Sequence, residues 1–191
     1  MALKLTVIIG STRPGRVGPT IAQWAADFAR ENSPFEVEVA DLAEIDLPLF
    51  DEPAHPSKQE YTHEHTKRWS GIVAASDAFV FVTPEYDFFP SAAVINAVQY
   101  LLHEWRRKPA AVVSYGGVSA GLRSSQVLRQ LLGNVGMVAL SQSVPIPFFP
   151  QFIGEDNTFH PNEVMMDGAK LMLTELNSWA ESLKAMRDKA A

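Results

Sequence analysis

The 191-residue sequence predicts an α/β protein, a three-layer sandwich with five parallel strands in the order 2-1-3-4-5 and helices on both faces. Two observations predict it. Strand-like and helix-like patterns alternate along the whole chain, without internal repeats. The central strands are continuous apolar runs, as expected where a parallel sheet is covered on both sides. No linker interrupts the alternation, so residues 1–191 read as one domain joined by right-handed crossovers.

Leu3, Leu5, Val7, Ile8 and Ile9 form the first strand, and Ile21, Trp24, Ala25 and Phe28 mark the first helix. Between them lies Gly10-Ser-Thr-Arg-Pro-Gly-Arg-Val-Gly-Pro-Thr20. Gly18 is expected at the N-cap, with Pro19 at the first helical position, where no N–H is needed. Phe35 to Ala40 alternates and reads as the second strand. Asp41 to Tyr61, rich in proline and acid, is too long for a plain connection and is expected to be a flap or an oligomer contact. Thr62 to Ala75 is helical, and Ala78 to Thr83 is the third strand. Pro84-Glu-Tyr-Asp-Phe-Phe-Pro90 ends it, and Ser91 caps a helix running to Leu102. Ala110 to Tyr115 is the fourth strand, followed at once by Gly116-Gly117 and a helix that Ser119 caps or begins. Gly133 to Gly136 ends that helix, and Met137 to Leu140 is a short fifth strand. Val144 to Pro161 reads as irregular, and a helix from about Asn162 to Lys189 closes the chain.

Composition excludes several functions. With 16 basic and 22 acidic residues the net charge is −6, against a nucleic-acid partner. The absence of cysteine removes disulfides, thiolate nucleophiles and iron–sulfur ligands. No run is long enough to span a membrane and no signal segment precedes the first strand, so a cytoplasmic protein is expected. Thr62-His-Glu-His65 invites a metal reading, but residues two apart on a helix do not face one another, and a solvated helix start is expected instead. The Gly-x-Ser-x-Gly elbow of hydrolases, the Walker loop and the Gly-x-Gly-x-x-Gly fingerprint are all absent.

In a doubly wound sheet, ligands sit beyond the carboxyl ends of the strands, at the switch point between strands 1 and 3. Three unusual loops gather there. The first offers a phosphate site: a helix N-terminus with Ser11, Arg13, Arg16, Val17 and Gly18 around it. The second offers Pro84, Glu85, Tyr86 and Asp87, with exposed amides and two phenylalanines. The third, Ser114-Tyr115-Gly116-Gly117, has glycines that let a flat ring approach the backbone. A phosphate at one end and a planar ring at the other describe FMN.

Gly10-Ser-Thr-Arg13, Pro84-Glu-Tyr86, Asn96-Ala97, His103-Glu-Trp105, Lys108-Pro109 and Ser114-Tyr-Gly-Gly117, in this order, resemble the NADPH-dependent FMN reductase family of the flavodoxin-like fold. The resemblance implies non-covalent FMN, NADPH or NADH as hydride donor, a small acceptor such as free flavin or a quinone, and a homodimer or homotetramer. It implies phosphate ligation by Ser11 and Arg13, a loop along the ring edge at Pro84 to Asp87, and a turn near the pyrimidine end at Ser114, Gly116 and Gly117. The sequence departs from the family where Asp87 replaces an asparagine, Ile95 a lysine, and Arg16 a frequent serine. No catalytic side chain and no metal are expected; the N–H groups of Tyr115 to Gly117 and the helix beyond are expected to stabilise the reduced ring. A flavodoxin-type carrier or an FMN-binding sensor shares the fold and is the alternative.

Overall fold

The computed structural model describes residues 2–189. Its five strands are β1 (Lys4–Ile9), β2 (Glu36–Asp41), β3 (Ala78–Pro84), β4 (Pro109–Tyr115) and β5 (Val138–Ile146). All pair in parallel, in the order β2-β1-β3-β4-β5. Helices α1 (Gly18–Asn32) and α6 (Glu163–Asp188) cover one face. The opposite face carries α2 (Leu42–Ile45), α3 (Glu64–Ala75), α4 (Ala92–Gln99) and α5 (Leu122–Asn134).

The two-residue period of a strand divides each apolar run between two cores. Val80, Val82, Ala111, Val113 and Tyr115 face α1 and α6, whereas Phe79, Phe81, Ala110 and Val112 face α3 to α5. Every residue of β3 and β4 is buried, which is why neither alternates in sequence. The edge strand β2 is half exposed and does alternate.

Four local expectations are corrected. Val17, not Gly18, is the N-cap of α1, so Gly18 and Pro19 are the first two helical residues. Helix α4 stops at Gln99, and His103–Trp105 forms a 3-10 turn. Helix α5 starts at Leu122 behind Gly121, whose positive φ of 75° makes a tight approach to Tyr115; Ser119 lies in the preceding turn. Strand β5 continues to Ile146, because its register with β4 shifts and resumes at Ser143 opposite Val112. Pro145 is tolerated because β5 lies at the sheet edge.

The long segment after β2 is stitched down rather than loose. Asn96 on α4 donates to the Pro48 carbonyl (2.6 Å) and accepts from the Phe50 N–H (3.0 Å). Glu52 accepts from the N–H groups of Thr62 (2.9 Å) and His63 (3.0 Å) and from the Thr62 hydroxyl (2.8 Å), capping α3. Gln59, Tyr61 and Ser70 all donate to one oxygen of buried Glu104. Helix α3 does start here, but the premise that His63 and His65 cannot face one another is corrected. His63 is the extended N-cap of α3, off the helical spacing, so its ring stacks on His65 (centroids 5.1 Å apart), and both turn Nε2 toward Asp51, at 3.9 and 3.0 Å. Among the described residues no His/Cys/Asp/Glu group is arranged to hold a metal ion.

Candidate active site

Loops after β1, β3 and β4 meet at the carboxyl edge of the sheet, where β1 and β3 are neighbours. The first loop leaves β1 at Gly10, whose N–H donates to Val82 (2.8 Å) and whose carbonyl accepts from the Ser91 hydroxyl. A Cβ at Gly10 would lie 2.5 Å from Val94 Cγ2, so only glycine lets the loop turn against α4.

The loop delivers Ser11 to the start of α1. Its hydroxyl is fully buried and has no hydrogen-bond partner. A Cβ on Gly18 would lie 2.1 Å from Ser11 Oγ and 3.0 Å from the Tyr115 hydroxyl. Two hydroxyls therefore converge over a glycine at the first turn of a helix. Val17 gives no side-chain cap, and the first turn has no acidic residue. An N-terminus without cap or acid, beside an orphaned buried donor, fits a phosphate.

The two arginines of this loop divide their work. Arg16 makes a bidentate pair with Asp41 (2.5 and 2.6 Å) and also donates to the Ser11 carbonyl (2.6 Å). Its guanidinium is thus turned toward the end of β2 and braces the loop. Arg13 is exposed, with its guanidinium carbon 5.9 Å from the Tyr86 ring centroid. Of the two, Arg13 alone has no side-chain hydrogen bond among the described residues. The sequence held a signal for the Arg16 pairing: in the order 2-1-3-4-5 the ends of β1 and β2 are adjacent, and Ile9 is in register with Asp41.

The second loop is a tight turn. Tyr86 and Phe89 exchange two backbone bonds of 2.9 Å, and the central residues Asp87 (φ 48°) and Phe88 (φ 75°) are both left-handed. Among the described residues neither central N–H has an acceptor, and both residues are exposed. The Pro84 carbonyl accepts from the Ser124 hydroxyl (3.0 Å) and the Glu85 N–H donates to Tyr115 (3.0 Å). Glu85 turns inward: its side chain is 6 % exposed, pairs with Arg123 (2.5 Å) and accepts from the Arg123 N–H (3.2 Å). Burial opposes the charge, but the Ser119 hydroxyl and Arg123 hold this carboxyl below its usual range.

In the third loop, parity separates Ser114 from Tyr115. The Ser114 hydroxyl donates to the Ala120 carbonyl (2.9 Å), closing the turn into α5. Tyr115 points the other way, to Ser11 and Gly18 at the start of α1, where burial raises its phenol to about 12 and keeps it a donor at neutral pH. Tyr115 therefore belongs with the first loop rather than with the second. The Gly116 N–H is engaged by Ile146 (3.2 Å), so it is not free to stabilise a reduced ring. Gly117 is exposed with nothing within 4 Å of its absent Cβ, and its N–H has no acceptor among the described residues. Exposed Phe88, Phe89, Val118 and Phe148 surround this edge.

A doubly wound sheet whose first loop brings a buried, unpartnered serine hydroxyl to an uncapped helix N-terminus, with exposed aromatics at the same edge, is the architecture of a flavodoxin-like protein. The model of the NADPH-dependent FMN reductase family matches residues 3–151, and the chain belongs to that family. An NAD(P)H-dependent FMN reductase of Saccharomyces cerevisiae is 36% identical over 192 residues, covering 92% of this chain and 100% of that one. One from Schizosaccharomyces pombe is 43% identical over 126 residues, covering 65% of this chain and 63% of that one. The flavoenzyme NAD(P)H:(acceptor) oxidoreductase FerB of Paracoccus denitrificans has the same fold, with a TM-score of 0.76 at 21% identity, covering 95% of this chain and 98% of that one.

Proposed function

We propose that this protein binds FMN at the carboxyl edge of its sheet and uses it to carry electrons from NADPH or NADH to a small acceptor, a quinone or a free flavin. As a member of its family it is an FMN-dependent oxidoreductase. The observation that carries the site assignment is the orphaned Ser11 hydroxyl, buried over Gly18 at an uncapped helix N-terminus. Relatives named NADPH azoreductase (Bacillus, 31% identical) and NADPH:quinone oxidoreductase (Arabidopsis thaliana, 26%) support the acceptor class.

When bound, FMN supplies the two-electron redox chemistry, and the chain supplies position and electrostatics. Ser11, the N–H groups at the start of α1 and Arg13 hold the phosphate; Arg16, tied to Asp41, keeps their loop in place. The N–H groups of Asp87 and Phe88 and that of Gly117 would donate to the ring. The Asp87 carboxylate would offer the ring an acceptor only, where an asparagine amide would also donate. No side chain here must move a proton.

A homodimer belongs to the same reading, built on the exposed Phe88, Phe89 and Phe148, because clusters of large apolar side chains seldom stay in water. So does a cytoplasmic location, where NAD(P)H is supplied; among the described residues no helix is long and apolar enough to cross a membrane. The protein is purified, loaded with FMN and mixed with NADPH under argon. Rapid bleaching of the yellow colour, reversed by a quinone, supports the enzyme. Flavin that stays oxidised after NADPH and NADH overturns it in favour of a carrier or sensor.

A further inference from the structure

The turn at Asp87 and Phe88 is held in a conformation that its phenylalanine opposes. Two consecutive non-glycine residues are left-handed, and one of them is a phenylalanine. Aspartate tolerates this conformation, but a phenylalanine is opposed in it by its own Cβ, so the surroundings must hold Phe88 there. The reciprocal Tyr86–Phe89 bonds make it a two-residue hairpin turn, a class that favours positive φ at both central residues, but they do not relieve the side-chain clash of a phenylalanine there. One contact outside the turn reaches its tip. The Arg123 guanidinium lies over the Phe88 ring, 3.8 Å from its centroid, although the ring is 57% exposed. Arg123 is itself fixed, since Glu85 binds both its guanidinium and its N–H at the start of α5.

We propose that Arg123 is a positioning residue: anchored by buried Glu85, it clamps Phe88 and so keeps the turn left-handed, with the Asp87 and Phe88 N–H groups unpaired among the described residues. This inference rests on the placement of FMN above and names the side chain that shapes the ring-binding loop from outside it. A lysine at 123 keeps the charge but lacks the flat group that stacks on an aromatic ring. A glycine at 88 adopts φ 75° without strain and needs no clamp.

The test is a double-mutant cycle read by FMN affinity, from quenching of flavin fluorescence, and by the midpoint potential of the bound flavin. Arg123→Lys is expected to weaken FMN about three- to fivefold, the upper range of a solvent-exposed cation–π contact, and to shift the potential. In a Phe88→Gly background the same change should alter affinity less than twofold and leave the potential where that background sets it. Phe88→Leu, which keeps the strain and loses the ring, should behave like Arg123→Lys, and it carries the test alone if Arg123→Lys does not fold. Equal losses from Arg123→Lys in both backgrounds, or an unchanged Phe88→Leu protein, overturn the clamp. If the parent protein itself fails to bind FMN, the site assignment fails instead.

Discussion

Placing a methyl group on Gly18 should abolish tight FMN binding while leaving the fold intact. The alanine Cβ would lie 2.1 Å from Ser11 Oγ, far inside contact distance, and 3.3 Å from Ile9 Cγ2. The Ser11 side chain is the group that can turn, and turning takes its hydroxyl off the first turn of α1. A charge-assisted contact of this kind contributes about 1.5–3 kcal/mol, so FMN affinity should fall roughly ten- to 150-fold. Crowding of a packed site costs about 1–3 kcal/mol, and at the first helical position alanine offsets little of it. A loss of no more than about 3 kcal/mol is expected, within the roughly 5–15 kcal/mol of a typical domain, so the variant folds. The assay is titration of apoprotein with FMN and, separately, with riboflavin, which lacks the phosphate. Riboflavin should lose less than threefold. A Gly18→Ala protein that binds FMN within twofold of the parent would show that the phosphate lies elsewhere.

Arg13→Ala should purify colourless yet folded, losing about ten- to 150-fold in FMN affinity, while riboflavin titrations match those of the parent. Asp87→Asn should raise the midpoint potential of bound flavin, because a nearby carboxylate disfavours the anionic reduced ring; spectroelectrochemistry checks it, and an unchanged potential places Asp87 away from the ring. Burial works against the Glu52 charge, but the N–H and hydroxyl of Thr62 and the N–H of His63 prevail and hold its carboxyl at about 2. A depressed folded value means stability that is complete above about pH 4.5 and lost as pH falls toward 2. Glu52→Gln should therefore flatten the acid limb of the unfolding free energy by about 1–3 kcal/mol, measured by urea denaturation from pH 6 to 2.5. Light scattering should find a dimer at micromolar concentration; a stable species of 21.1 kDa would refute the shared aromatic face.

The fold was legible because each of its signals is local. Ala78–Thr83 and Ala110–Tyr115 are apolar at every position, which only a strand covered on both faces explains, and Ser91 caps α4 as its place before an apolar helix predicts. The continuation of β5 was hidden, since Val144-Pro-Ile146 looks like loop until the shifted register with β4 restores its pairing. The histidine pair was hidden too, since the exact residue at which α3 begins decides whether His63 and His65 share a side.

The site divides along the same line. From the order of its residues alone, the chain determines that a glycine-rich basic loop, a Pro-Glu-Tyr-Asp loop and a Ser-Tyr-Gly-Gly turn lie at one sheet edge, because alternation and crossover hand place every strand's carboxyl end there. Which atoms face a ligand was decided only by tertiary contact. Asp41 draws Arg16 aside and leaves Arg13, Glu85 turns inward to Arg123 and leaves the turn's amides, and strand parity sends Tyr115 to the start of α1 and Ser114 to the turn into α5. Each choice depends on a partner 25 or more residues away or on the face a strand residue takes, and neither is written in local composition.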